Sequence, residues 1–204
     1  MVKQLRAART RQALVHAAAE TFADDGYALS SLPAISRRAG VSAGALHFHF
    51  PSKDALAVEV EALARRNIEQ MAADRRPSAA SALDLLVAVT RDLLVMVATD
   101  VVVRAGFRLS LDPSRKNGMG FGCWWRTWVC DQLVRAQRQG ELAEGVSPDR
   151  VAAVIVAATV GFEVLGAADR DRISLQHAEQ FWSLVLPQLS ARSGQFAGAA
   201  LSDS

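Results

Sequence analysis

The stretch from Ala34 to Phe50 limits what this chain can fold into more sharply than any other. Its spacing predicts two very short helices, Leu32 to Ala39 and Ala43 to His49, turned through Gly40. Helices of so few turns do not hold together alone in water, so neighbours must clamp the pair. A helix-turn-helix does this and leaves its second helix free to project into a groove of DNA. Local chemistry agrees. Ser30 and Ser31 precede Leu32-Pro33 as a cap followed by a first-turn proline, and Ser42 caps the projecting helix.

The same reading extends along the chain. Leu14, Ala17, Ala18, Thr21 and Phe22 share one face of a first helix, Gln4 to Asp25, which Gly26 should end. Pro51 stops the third helix and Ser52 opens a fourth, Lys53 to Asp74, with Leu56, Val60, Leu63 and Asn67 in a stripe. Further helices are expected over Ala79 to Ala98, Asp100 to Leu111, Phe121 to Gln139, Pro148 to Ala168 and Ser174 to Ala191. Ser147-Pro148-Asp149 joins a cap, a first-turn proline and a first-turn acid. The expected class is all-α, with about nine helices. A three-helix helix-turn-helix domain over 1–52 is followed by a helical ligand-binding and dimerisation domain over 53–192. A small, polar tail, 193–204, is expected to be disordered.

Half of the 204 residues are apolar, enough for a sizeable core. The net charge of +2 is unevenly spread: Lys3, Arg6, Arg9, Arg11, Arg37 and Arg38 face only Glu20, Asp24 and Asp25 in the first fifty residues. A basic N-terminal quarter suits a polyanion. Cys123 and Cys130 stand about two helical turns apart, too far for a mutual disulfide, and are expected as buried thiols in a reducing compartment. The start leads into an amphipathic helix, not a signal peptide. The longest apolar run, Val151 to Gly161, is too short to span a bilayer. The expectation is a soluble, cytoplasmic protein with no membrane partner.

Reading DNA requires small residues for close approach, cations for phosphate and apolar anchors behind the reading helix. Ala43, Gly44 and Ala45 supply the first; Ile35, Leu46 and Phe50 supply the last. Lys3, Arg6, Arg9, Arg37 and Lys53 are the phosphate donors, with the Ser42 hydroxyl near phosphate. Such contacts position a protein, while base edges give specificity.

Gly26-Tyr27, Ser31-Leu32, Ile35, Ala39-Gly40-Val41-Ser42, Gly44-Ala45-Leu46, Phe48-His49-Phe50 and Ser52-Lys53-Asp54-Ala55-Leu56 resemble the N-terminal domain of TetR-type transcriptional regulators, in order and without a gap. The resemblance implies a DNA-contacting set of Lys3, Arg6, Ser31, Arg37, Ser42, Ala43, Gly44, Ala45, His47, His49 and Lys53. Two positions depart from the pattern: Ala43 stands where Lys is common, and His47 where Tyr is common. A phosphate contact is lost at the first, and a titratable donor replaces the phenol at the second. For His49, a packed histidine and a phosphate contact both remain open.

Met1 to Arg9, Gly44 to Phe50, Val103 to Leu109, Trp125-Arg126 ahead of Leu133 to Ala136, and Val160-Gly161 are similar to γ-butyrolactone autoregulator receptors. That resemblance implies a repressor released from DNA by a small amphipathic lactone, butenolide or furan. Such a ligand needs an apolar tunnel, an aromatic wall and one or two donors. Trp125 and Thr159 can supply the polar contacts, and Leu85, Val89 and Phe107 the lining. Apolar residues on the last two helices exceed what a monomer should expose. Val154, Ala158, Phe162, Leu165, Phe181 and Leu184 are therefore expected in a four-helix homodimer interface, together with Val151, Ile155, Trp182, Val185 and Leu189. A dimer implies a near-palindromic double-stranded operator.

Catalysis has no support in the sequence. There is no Glu-x-x-His pair, nucleophile elbow or phosphate loop, and His16, His47, His49 and His177 lack metal spacing. No cofactor or metal is expected. A TetR-type sensor of hydrophobic drugs or antibiotics is the alternative within regulation.

Overall fold

The computed structural model describes residues 2–115, 120–168 and 175–191. Among them are nine α-helices: α1 (Val2–Leu29), α2 (Leu32–Arg38), α3 (Ala43–His49), α4 (Lys53–Arg75), α5 (Ala82–Thr99), α6 (Val101–Leu111), α7 (Gly120–Arg138), α8 (Pro148–Ala168) and α9 (Leu175–Leu189). The all-α class expected from the sequence is what the chain adopts. The tail 193–204 lies outside the described residues.

Helix boundaries follow local chemistry. Gly26 interrupts the helical backbone (φ 76°, ψ 167°), yet a last turn resumes to Leu29, so α1 runs further than its terminating glycine suggests. Ser31 and Ser42 cap α2 and α3, their hydroxyls accepting the Ala34 and Ala45 N–H groups. Gly40 takes the left-handed φ of 68° that the tight turn requires. Asp100 caps α6, its carboxylate accepting the N–H groups of Val102 and Val103 at 2.8 and 3.2 Å.

The chain divides into two compact units. The N-terminal unit joins residues 1–69 to residues 99–123, so α6 belongs with α1 to α3. Its core holds Leu14, Ala18, Phe22, Ile35, Leu46, Leu56 and Val60, all fully buried. Within it α6 lies tight on α4: a Cβ built on Gly106 would fall 2.6 Å from the Ala64 Cβ.

The C-terminal unit joins residues 70–98 to residues 124–204. Leu86, Val89, Leu93, Val129, Leu133, Ala152 and Ile155 form its buried centre. Backbone bonds from Ala143 N–H to the Leu189 carbonyl and from Ala191 N–H to the Glu141 carbonyl, both 2.8 Å, tie the loop after α7 to the end of α9.

Candidate DNA-reading head and effector core

Helix α3 has two faces. Leu46 and Phe50 are buried and fasten it to the unit, while Ser42, Ala43, Gly44 and His47 are exposed. Ala45 is half-buried. His49 is also half-buried, its ring edge-on to Phe48 at 5.2 Å. Phe48 itself is 82% exposed. The sequence assigns Phe48 no role beyond the resemblance, and its position between two histidines gives no sign that it points outward.

Arg6, Ser31 and Arg37 are exposed. Arg38 is held by Asp24 at 3.2 Å and by Glu20 at 3.9 Å, which leaves Arg37 as the outward cation of α2. The side chain of Lys3 lies outside the described residues. Lys53 corrects an expectation. Its ammonium donates to the carbonyls of Tyr27 and Ser30 at 2.7 and 2.9 Å and sits 4.2 Å from the Tyr27 ring centre. It holds the exposed end of α1 against the start of α4, instead of pointing outward as a phosphate donor.

In the C-terminal unit, Trp125 is 1% exposed. Its indole N–H donates to the Thr159 hydroxyl oxygen at 3.2 Å, and that hydroxyl donates to the Val156 carbonyl at 2.8 Å. Trp128 stacks on Trp125, centroids 5.3 Å apart and planes 7° from parallel, and Trp124 lies tilted at 6.2 Å. Val89 is fully buried, and Leu85 lines a cleft at the start of α5. Phe107 belongs to the N-terminal unit, where it packs edge-on against Phe121 at 5.0 Å.

On α8 and α9, Val154 is 55% and Leu184 75% exposed. Ala158, Phe162 and Phe181 are half-buried, with the two phenyl rings edge-on at 6.2 Å. Val164, not singled out in the sequence, is exposed as well. The side chain of Leu165 lies outside the described residues. Ile155, Trp182 and Leu189 are buried within the protomer; helices apolar on nearly every face gave no way to sort inward from outward positions. The cysteines also depart from expectation: Cys123 is exposed and Cys130 half-buried, its thiol 3.6 Å from an Asp149 oxygen. Burial, with Asp149 beside it, pushes the Cys130 thiol up.

No group of metal-ligating side chains occurs among the described residues, and none of the described helices is long and apolar enough to cross a membrane.

A capped helix-turn-helix with a small-residue face, beside a separate helical unit with a buried aromatic cluster, defines a DNA-binding regulator of transcription. Residues 14–60 match the tetR family of bacterial regulatory proteins. The chain is 31% identical to the A-factor receptor protein of Streptomyces griseus, over 93% of this chain and 67% of that protein. It is similar to a γ-butyrolactone receptor described as an ArpA-like protein (TM-score 0.74, 27% identity, 94% of both chains). It is equally similar to the TetR family protein CprB from Streptomyces coelicolor, solved with its operator sequence (TM-score 0.75, 28% identity, 94% of both chains). The chain belongs to the TetR family and, within it, to the autoregulator-receptor type.

Proposed function

We propose that this protein is a homodimeric repressor that binds a near-palindromic operator and leaves it when a small γ-butyrolactone, butenolide or furan-type signal enters the C-terminal unit. Its place of action is the cytoplasm, beside its DNA. The observation that carries the reading is the Trp125–Thr159 pair: an indole donor and a hydroxyl meet inside an apolar, aromatic surrounding. A ligand oxygen that accepts the indole N–H takes Thr159's place, and the ring lies against the stacked tryptophans. The names of the relatives point to the same ligand class.

Reading is done by α3, with Ala43, Gly44 and Ala45 close to base edges and His47, His49 and Phe48 beside them. Arg6 and Arg37 set the register on phosphate. Val154, Ala158, Phe162, Phe181 and Leu184 pair with their copies across a two-fold axis. Release follows from a shift of α6 that is passed to α4. Gly106 seats α6 on Ala64, and Arg115, just after α6, reaches Asp54 and Glu61 of α4. The ligand drives this shift only as far as it prefers the released state.

The test is a gel shift on the DNA upstream of the coding region, with and without an organic culture extract or a synthetic γ-butyrolactone. Retardation that the lactone abolishes supports the reading. Trp125→Ala should retain retardation and lose the response. Release by lipophilic antibiotics but not by lactones would put the protein among drug sensors.

A further inference from the structure

The C-terminal unit also carries an open cleft of about 330 Å³, framed by the start of α5 and the end of α7. Gln132 lines it while only 3% exposed, and its amide has no hydrogen-bond partner among the described residues. Neither amide atom is sealed from the cleft, so the Gln132 side chain presents an open donor and acceptor to a guest. Arg76 and Arg135 line the same cleft, and neither enters an ion pair among the described residues.

Glu141 is the counter-charge in the cleft, but its two oxygens accept the N–H groups of Ala82 and Leu83 at 3.2 and 2.9 Å. It caps α5 and leaves both guanidiniums unmatched. Its own charge still opposes a doubly charged guest such as phosphate. Leu85 adds an apolar wall. The volume lies at the small end of the range for ligand sites.

We propose that this cleft binds small organic monocarboxylates. The carboxylate sits between Arg76 and Arg135, the Gln132 amide N–H donates to it, and a short aliphatic remainder lies on Leu85. Arginine suits this role because its planar fork matches a carboxylate.

Calorimetric titration of the full chain with hexanoate tests the proposal, with hexanamide and inorganic phosphate as comparisons. It uses no DNA, so its outcome is separate from that of the regulator reading. Hexanoate is expected to saturate, with hexanamide and phosphate at least about tenfold weaker. Gln132→Leu and Arg135→Gln should each weaken hexanoate by about tenfold with an unchanged melting temperature. Trp125→Phe should leave hexanoate binding unaltered. If Gln132→Leu melts early, Arg135→Gln at its exposed position decides. The proposal is overturned by no saturable hexanoate binding, by hexanamide or phosphate binding as tightly, by Arg135→Gln binding normally, or by loss of binding in Trp125→Phe.

Discussion

Arg115 meets Glu61 inside the N-terminal unit with its side chain 0% exposed: Nη1 lies 2.9 Å from Oε1, and Nη2 donates to Oε2 at 3.0 Å. Asp54 approaches the same guanidinium at 3.4 Å, and the Tyr27 ring centre lies 5.4 Å from it. One arginine thus ties the segment after α6 to α4 and to the end of α1. Just ahead of it, the Asp112 carboxylate accepts the Ser114 backbone N–H at 2.9 Å and shapes the turn that presents Arg115.

Removing one partner of such a pair leaves a buried charge. Arg115→Met should therefore cost about 3–5 kcal/mol in urea unfolding at neutral pH, while Glu61→Leu/Arg115→Met recovers most of it. The pH dependence has a definite sign. Burial pushes the Glu61 carboxyl above its usual range, against the pull of Arg115. A raised folded-state value means that its contribution is complete below the ordinary carboxylate range and is lost as pH rises through the raised one. Without Arg115 this loss steepens, so the penalty of Arg115→Met should shrink in acid. An equal penalty from acid to neutral pH would contradict the argument.

Gly106 leaves no room for a side chain against Ala64. Gly106→Ala should force α6 away from α4 and cost about 1–3 kcal/mol, less what alanine restores to helix propensity. Ala64→Gly/Gly106→Ala reopens the space. A thermal-melt double-mutant cycle should show favourable coupling between the two changes, and strict additivity would mean that the helices are not in the contact described.

Lys53 and Arg37 should separate under salt titration of operator binding. Arg37→Ala should reduce the slope of log affinity against log salt by about one. Lys53→Met should leave that slope alone and lower stability by about 1–3 kcal/mol, because the Tyr27 and Ser30 carbonyls lose their charged donor.

Thr159→Val keeps shape but removes the acceptor of the Trp125 indole. The unmatched N–H should cost about 1–3 kcal/mol, read as a lower melting temperature. Indole fluorescence should shift in the same variant. Unchanged emission and stability together would show that the bond at 3.2 Å contributes nothing.

The parts of this protein that were legible in the sequence are those fixed by neighbours along the chain. Ser31 and Ser42 identify their helices because a cap acts on N–H groups three residues ahead. Trp125 and Thr159 were both singled out, though their bond spans thirty-four positions and no spacing rule announces it. Lys53 was misread because its acceptors, the Tyr27 and Ser30 carbonyls, become visible only once α1 and α4 meet. Arg115 lies in a stretch that looks like a polar loop, Asp112 to Gly118, and nothing local marks it for burial. Ile155 and Trp182 turned inward on helices whose apolar residues surround the axis, where periodicity carries no direction.

The two faces of α3 carry separate duties. Leu46 and Phe50 hold the helix from behind, and Ser42 secures its first turn through the Ala45 N–H. Ala43, Gly44 and His47 face outward. With α3 reading DNA as proposed, substitutions among these outward positions alter which DNA is recognised while the fold is inherited intact. Descendants of this gene can therefore change the promoters they govern one residue at a time, without first passing through a misfolded ancestor.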